Sequence, residues 1–189
     1  MSEAAERWDE RYGGLGEIGP GEVAPFLMSV AHHLPVTGTA LDVGGGLGAN
    51  ARWLAGRGLR TTLLDVSSVG LELARRIDGG ADLEYLQRDV EADGLPTDRT
   101  WDVVLFHLFF DRDLVLAAAS VLEPGGVLLV CQPTETNLER HPRPSRRFLL
   151  DTGDAPAIAD ETGLDQLEVS EGWRDSTRHD AWLVLRRPD

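Results

Sequence analysis

Four glycines lie within five residues, directly after a short apolar stretch that ends near an aspartate. Asp42 is followed by Gly44, Gly45, Gly46 and Gly48. Glycine tolerates positive φ and lets the backbone approach a ligand, because it has no Cβ. Amide groups at the N-terminus of a following helix would face the same ligand. The segment therefore predicts a strand, a glycine loop and a helix start that together bind a nucleotide-type cofactor.

The spacing of these glycines fits two kinds of cofactor. Gly44, Gly46 and Ala49 satisfy the G-x-G-x-x-A pattern of dinucleotide-binding domains. Counted from Asp42, the same residues form the pattern D-x-G-x-G-x-G, which resembles the first motif of class I methyltransferases that use S-adenosylmethionine (SAM). SAM carries an ammonium and a sulfonium and no pyrophosphate, so a carboxylate attracts it and would repel a pyrophosphate. The motif favours SAM over NAD; the alternative role of Asp42 is to accept hydrogen bonds from loop amides.

A second acid follows the next predicted strand. Asp65 ends the apolar stretch 59–64, about 20 residues past the glycines, where a carboxylate can accept hydrogen bonds from both ribose hydroxyls. The alternative role is a helix cap, since a helical pattern follows at 69–77. Ser67 or Ser68 can supply that cap instead. We therefore predict Asp65 as the ribose ligand.

A third acid, Asp89, follows the strand predicted at 83–87. The segment Arg88-Asp89-Val90 resembles the motif of the same family in which an Asp side chain meets the adenine amino group and the next amide meets a ring nitrogen. Ligands of open α/β sheets lie at the carboxyl ends of the strands, where these acids fall. The residues predicted to contact the cofactor are Asp42, Gly44, Gly45, Gly46, Gly48, Asp65, Val66, Asp89, Val90 and Phe106, together with Trp8 and Tyr12. The family usually has Cys or Ser where Gly45 stands, a departure that bears on affinity.

The later segments predict the rest of the fold. A strand at 101–107, a helix at 113–122, a Pro-Gly-Gly turn and a strand at 127–131 follow the order of the later methyltransferase motifs, so the resemblance covers about residues 38 to 132. The strands predicted at 166–171 and 181–185 have no room between them for a crossover helix and should pair antiparallel. The expected fold is α/β: a Rossmann-like three-layer sandwich with a seven-stranded, mostly parallel sheet and a C-terminal antiparallel strand.

The N-terminus resembles small-molecule methyltransferases of the tellurite-resistance and thiopurine type, the nearest group by this comparison. These enzymes often begin with a Trp-x-x-x-Tyr segment that folds over the cofactor. Trp8 and Tyr12 are four residues apart and project from one face of a helix, so they either close the SAM pocket or dock onto the sheet as core. We expect a single domain over residues 1–189, with an arm or lid at 1–21 and the core at 22–189.

Composition limits the possible partners. The net charge of −14 repels phosphate-rich polymers, so we expect no nucleic-acid partner. No apolar run reaches the ~18 residues of a membrane span, and the first residues lack the features of a signal peptide, so we expect no membrane contact and a cytoplasmic location. Cys131 is the only cysteine, which excludes an internal disulfide. No histidine or acid cluster has metal-ligand spacing, so no metal is expected.

The chemistry expected from this resemblance is in-line transfer of a methyl group from SAM to a small-molecule acceptor. His107 ends the fourth strand, and an ordinary pKa near 6.5 would suit a general base for a hydroxyl acceptor; its alternative is a packed or cofactor-contacting residue. We expect the basic, proline-broken run at 140–147 to be a solvated linker; the alternative is a lid that attracts an anionic substrate. The competing functions are a non-catalytic SAM-binding module and another nucleotide-cofactor enzyme, such as an NAD-dependent oxidoreductase.

Overall fold

The computed structural model describes residues 2–16, 18–77, 79–174 and 177–189. The strands are β1 (Gly38–Val43), β2 (Leu59–Asp65), β3 (Leu83–Gln87), β4 (Trp101–His107), β5 (Leu122–Pro133), β6 (Asp165–Arg174) and β7 (Arg178–Arg186). The helices are α1 (Glu3–Gly13), α2 (Pro25–Ser29), α3 (Ala49–Gly56), α4 (Ser68–Ile77), α5 (Val90–Asp93), α6 (Arg112–Val121) and α7 (Ala155–Thr162). None of the helices in these ranges is long and apolar enough to cross a bilayer.

The seven strands form one sheet in the order β3-β2-β1-β4-β5-β7-β6. β1 and β3 pair in parallel with β2, and β4 pairs in parallel with β5. β7 runs antiparallel to both β5 and β6. The predicted Rossmann-like α/β fold, with a mostly parallel sheet and an antiparallel C-terminal strand, is confirmed.

The chain divides into two compact units, residues 1–96 and 97–189. The single domain with an N-terminal arm therefore stays a prediction. In the first unit, the last four residues of β1 are buried, and β2 packs against α3 and α4 through a cluster with no more than 1% exposure. Burying each such leucine contributes roughly 1.5–3 kcal/mol. The cluster consists of Ala51, Leu63, Leu71 and Ala74.

The register of the first unit brings the carboxyl ends of three strands to one edge. Val43 lies opposite Leu64, and Asp65 lies opposite Gln87. Since the pairs are parallel, whatever follows β1, β2 and β3 emerges at the same edge. The three predicted cofactor acids belong to these strand ends.

The second unit is built on β4 and β5, whose central residues are apolar and buried. Residues 103–106 and 128–131 are all 0% exposed, as expected for parallel strands that are covered on both faces. Pro133 pairs with Asp180 and Cys131 with Trp182, so the carboxyl end of β5 lies beside the start of β7.

Several element bounds differ from the sequence prediction. The strands predicted at 59–64, 83–87 and 101–107 are confirmed, with Asp65 added to the first. The last two strands are longer than predicted: β6 extends to Arg174 and β7 begins at Arg178. Their polar ends are extended because each residue there pairs with a residue of the other strand. Before β1, residues 25–29 form α2, and residues 31–33 form a short 3₁₀ turn.

Candidate functional site

The glycine loop after β1 alternates in and out of the left-handed region. The φ angles of Gly44, Gly46 and Gly48 are 64°, 56° and 75°, values that favour glycine. The Gly45 N–H donates to the Leu64 carbonyl at 3.1 Å, and the Gly48 N–H donates to the Gly45 carbonyl at 2.9 Å. α3 begins immediately after Gly48. The strand, loop and helix start predicted from the sequence are therefore present in this order.

Asp65 joins this loop to the end of β2. Its Oδ2 accepts a hydrogen bond from the Gly46 N–H, and its Oδ1 accepts one from the Ser67 N–H, both at 2.9 Å. Burial raises the pKa of Asp65, and the amide donors oppose that rise. Ser67, and not Asp65, caps the N-terminus of α4: its Oγ accepts a hydrogen bond from the Gly70 N–H at 2.9 Å. Each carboxylate oxygen of Asp65 keeps acceptor capacity for a ribose hydroxyl.

Asp42 lies beneath the glycine loop and is 1% exposed. Neither of its carboxylate oxygens has a hydrogen-bond partner of ordinary geometry within the described ranges. Burial raises the pKa of Asp42 to about 7, the nearby Ala51 amide opposes the rise, and the charge of Asp65 adds to it. The loop glycines do not satisfy this acid, so an orphaned carboxylate lies under the loop, where the charge of a bound cation would stabilise it.

Neighbouring side chains leave no room for a Cβ at Gly45. A Cβ added there would lie 2.5 Å from Leu63 Cδ1 and 2.6 Å from Asp42 Oδ2, distances that real side chains do not show. The buried carboxylate of Asp42 thus occupies the space that a Cys or Ser side chain would need.

Replacing Gly45 with serine should lower the free energy of unfolding by about 1–3 kcal/mol, the usual cost of overpacking a close contact. Urea denaturation followed by circular dichroism measures it. The matched control is Gly16→Ser, since a Cβ at Gly16 meets nothing within 4 Å. Equal stability of the two variants would mean that Asp42 and Leu63 move aside without cost.

Asp89 and Val90 stand where β3 ends. The Asp89 side chain accepts a hydrogen bond from the Ala92 N–H at 3.3 Å at the start of α5, and Val90 is 6% exposed. The Arg88 N–H donates to the Asp65 carbonyl at 3.0 Å, which ties this segment to the end of β2. The half-buried Val66 accepts from the Gln87 side chain through its carbonyl oxygen at 3.3 Å.

Helix α1 lies on the glycine loop and on α4. A Cβ at Gly46 would lie 2.7 Å from the Tyr12 hydroxyl oxygen, and one at Gly70 would lie 2.8 Å from the Tyr12 ring. Trp8 stacks on Tyr12 with ring centroids 5.7 Å apart. Burial, followed by the charge of Asp65, raises the pKa of Tyr12. The predicted pair therefore lies on one helix face, with Tyr12 over the loop.

Asp9, which the sequence analysis missed, holds α1 in this place. Its Oδ1 accepts from the Val69 N–H at 3.2 Å and from the Ser67 hydroxyl, and its Oδ2 accepts from the Ser68 hydroxyl at 3.3 Å. A carboxylate at a helix N-terminus is also favoured by the helix dipole. Asp9 and the start of α4 are about 60 residues apart in the sequence. No local sequence pattern connects them, so this contact could not be predicted from residue spacing.

In the second unit, Phe106 and His107 end β4. Phe106 is 0% exposed and stacks on Phe109 with centroids 6.3 Å apart, so its side chain belongs to the core. Burial, followed by the charge of Arg178, lowers the pKa of His107 to about 4. The ordinary value near 6.5 assumed from the sequence is not retained. His107 is neutral at pH 7 but accepts a proton less readily than an exposed histidine.

An ion pair between a buried acid and a partly exposed arginine lies near the end of β5. Asp180 is 1% exposed, and the Arg178 Nε lies 2.8 Å from its Oδ1. The Cys131 sulfur is 4.0 Å from Asp180 Oδ2. Burial and the charge of Asp180 raise the pKa of Cys131 to about 12, so the thiol stays protonated at pH 7.

Replacing Arg178 with glutamine should raise the pKa of His107, because it removes a cation and leaves Asp180 without its counter-ion. The value should stay below 6.5, since burial is the larger cause of the shift. Histidine chemical shifts recorded by NMR across pH 3–8 measure it. Arg146→Gln is the control: it also removes one arginine, but Arg146 pairs with Glu135 and Asp151. An unchanged or lower His107 pKa in the Arg178 variant would contradict this account.

The loop after β5 is held by Asn137. Its Nδ2 donates to the carbonyls of Thr134 and His179 at 2.8 and 2.6 Å, and its Oδ1 accepts from the His179 N–H at 3.0 Å. In the basic run that follows, the Arg140 guanidinium lies 3.6 Å from the centroid of the Trp173 ring, and Arg146 is 69% exposed beside its two acids. These contacts favour the linker interpretation of the run.

Comparison with known proteins agrees with this geometry. Residues 40–126 match a family model described as a methyltransferase domain. The ubiquinone biosynthesis O-methyltransferase of Serratia proteamaculans is 34% identical over 95 residues, covering 47% of this chain and 39% of that protein. The Burkholderia multivorans protein of the same name is 31% identical over 137 residues, covering 67% of this chain and 57% of that protein. The chain thus spans between about two fifths and three fifths of these relatives.

Solved structures share the fold across nearly the whole chain. A protein solved in work on the conversion of a disulfide bond into a thioacetal group during echinomycin biosynthesis has a TM-score of 0.71 at 21% identity, covering 97% of this chain and 93% of that one. The N-methyltransferase NodS of Bradyrhizobium japonicum, in complex with S-adenosylhomocysteine (SAH), has a TM-score of 0.69 at 16% identity, covering 99% and 100%. TehB of Haemophilus influenzae has a TM-score of 0.68 at 15% identity, covering 97% and 67%.

The strand order, the acidic glycine loop and these matches define a Rossmann-like α/β fold of the kind found in methyltransferases. Over residues 40–126 the chain is similar in sequence to methyltransferase domains, as its motifs indicated, and its fold is that of the solved SAM-dependent methyltransferases.

Proposed function

We propose that this chain transfers a methyl group from SAM to a small-molecule acceptor by in-line displacement. One observation carries the proposal: three carboxylates, those of Asp42, Asp65 and Asp89, lie at or just after the carboxyl ends of adjacent parallel strands, beside a glycine loop. Carboxylates suit a ligand that carries positive charge and ribose hydroxyls, and they oppose a pyrophosphate.

Each residue has a proposed role toward the cofactor. Asp65 accepts hydrogen bonds from the ribose hydroxyls, Asp89 and the Val90 amide meet the adenine ring, and the loop glycines let the backbone approach. Asp42 acts through its charge, because at 1% exposure it has no open path to a ligand. Tyr12 covers the loop and excludes water. When bound, SAM supplies a methyl group that is activated by a sulfonium.

Calorimetric titration with SAM, SAH and NAD in parallel tests the cofactor. We expect micromolar binding of SAM and SAH and none of NAD. Binding of NAD alone would contradict the proposal and favour an oxidoreductase, for which the G-x-G-x-x-A pattern is sufficient.

The class of acceptor atom follows from the chemistry available at β4. The relatives are named O-methyltransferases, so hydroxyl acceptors should be tested first. A hydroxyl needs a base, and His107 with a pKa of about 4 is a weak one. In our proposal His107 therefore positions the acceptor by hydrogen bonding, and thiols or chalcogen anions, which ionise unaided, are the second class.

Turnover separates an enzyme from a binding module. Methyl transfer from labelled SAM to any member of a hydroxyl and thiol panel would exclude the non-catalytic SAM-binding alternative. SAM binding without turnover across both classes would favour that alternative. Kinship with the tellurite-resistance and thiopurine group, and a cytoplasmic location, remain parts of the proposal that rest on the sequence.

A further inference from the structure

We propose that the acceptor is an apolar molecule with a carboxylate-type anion, and that Arg174 and Arg178 bind this anion. The inference rests on the proposed function, since it names the acceptor class for the same reaction. It stands on two arginines placed opposite each other in the β6–β7 hairpin and on the side chains that share their face of the sheet.

The two arginines are direct cross-strand partners. Arg174 lies opposite Arg178 in the antiparallel register. Like charges in this position destabilise a sheet unless an anion lies between them. Arg178 pairs with Asp180 at 2.8 Å. Arg174 has no acidic partner among the residues that the structure describes, so the pair carries an excess positive charge.

The contacts of Arg174 leave its Nε–H without an acceptor among the described residues. Its guanidinium stacks 3.9 Å from the centroid of the Trp182 ring, and its Nη2 donates to the Ser170 hydroxyl at 2.9 Å. Its Nε is buried and has no hydrogen-bond partner in the described parts of the chain. A buried guanidinium donor without an acceptor costs free energy, which an incoming carboxylate would recover.

These side chains share one face of the sheet with His107. Residues paired in register project to the same face, and side chains alternate along a strand. His107 pairs with Cys131, and Cys131 pairs with Trp182. Arg178 lies four residues before Trp182 in β7 and therefore projects to the same face. If the arginines bind the anionic group of the acceptor, the rest of the acceptor would lie toward the end of β4.

The segment after β4 supplies an apolar surface for the rest of the acceptor. Leu108 is 49% exposed and has a φ of 60°, a left-handed value that is costly for leucine. The half-buried Phe109 and Phe110 follow it. Strained, exposed apolar residues beside a functional strand end are typical of ligand contacts.

Titration with benzoate and benzamide, followed by NMR of the tryptophan indole and histidine signals, tests the inference. The two probes differ only in the anion. We expect benzoate to bind at least tenfold more tightly than benzamide in the unmodified protein. Arg174→Gln should weaken benzoate binding at least tenfold, and Arg174→Lys should keep part of it. Arg146→Gln, which removes an arginine already paired with two acids, should change nothing.

Equal binding of the two probes, or an unchanged benzoate affinity in Arg174→Gln, would overturn the inference. If Arg174→Gln fails to fold, Arg178→Lys serves instead and should weaken benzoate binding, because an ammonium cannot hold Asp180 and a carboxylate in the same geometry. Calorimetry with SAH on the same samples separates the two proposals. If the unmodified protein binds benzoate but does not bind SAH, the proposed function is wrong and the anion site still stands.

Discussion

Replacing Asp65 with alanine should weaken SAM binding by about 10- to 100-fold, the equivalent of roughly 1.5–3 kcal/mol for lost charge-assisted hydrogen bonds. The variant also loses the acceptor for the Gly46 and Ser67 amides, both of which now bond to Asp65 at 2.9 Å. The affinity for SAH should fall by the same factor, because SAH contains the same ribose. Isothermal titration calorimetry with both ligands measures the effect.

Two controls make the Asp65 result specific. Asp82→Ala removes an exposed acid just before β3 and should leave both affinities unchanged. Urea denaturation confirms that the Asp65 variant is folded under the titration conditions. A folded variant with unchanged SAM affinity would remove Asp65 from the cofactor site.

The second large effect concerns pH and Asp42. Its pKa is raised from 3.8 to about 7 in the folded protein. The folded state thus keeps a proton that the unfolded chain has released, so the stability that this group contributes is complete below pH ~4 and is lost as the pH rises through ~7. The slope is at most ~1.4 kcal/mol per pH unit.

Asp42→Asn should remove this slope. We expect the free energy of unfolding of the unmodified protein to fall relative to that of the variant between pH 4.5 and 7.5, measured by urea denaturation at one-unit steps. The raised pKa of Asp65 acts in the same direction in both proteins, so the difference between their curves reports Asp42 together with its charge coupling to Asp65. Parallel curves would mean that Asp42 ionises normally in the fold.

The same group should couple ligand binding to pH. A bound sulfonium favours the ionised form of Asp42, so SAM affinity should rise from pH 6 to pH 8 by up to about tenfold. SAH, which lacks the sulfonium charge, should gain less, and Asp42→Asn should abolish the difference between the ligands. Calorimetry at three pH values is sufficient, and a SAM profile that is identical in the variant would contradict the role assigned to Asp42.

The sequence predicted what is encoded locally. The segments that became β1 to β4 are short and rich in aliphatic and aromatic residues, so their positions could be predicted from the local pattern. The alternation of glycines after Asp42 specified the loop, because left-handed φ values at Gly44, Gly46 and Gly48 leave little choice of residue.

What the sequence did not predict depends on contacts between distant segments. Asp9 reaches the start of α4, and no spacing rule connects them. The pKa of His107 falls because of burial and because Arg178 arrives from another strand. The reason for glycine at position 45 is the buried carboxylate of Asp42, which becomes visible only when the loop is folded back on β1.

Asp65 also limits how this site can be altered. One carboxylate holds the glycine loop through Gly46 and the turn into α4 through Ser67, while facing the proposed ribose position. Any change made there to alter nucleotide preference would reshape the backbone that surrounds the ligand. Engineering of cofactor selectivity in this chain must therefore leave Asp65 in place and begin at Asp89, whose side chain accepts a long hydrogen bond from the Ala92 N–H at 3.3 Å.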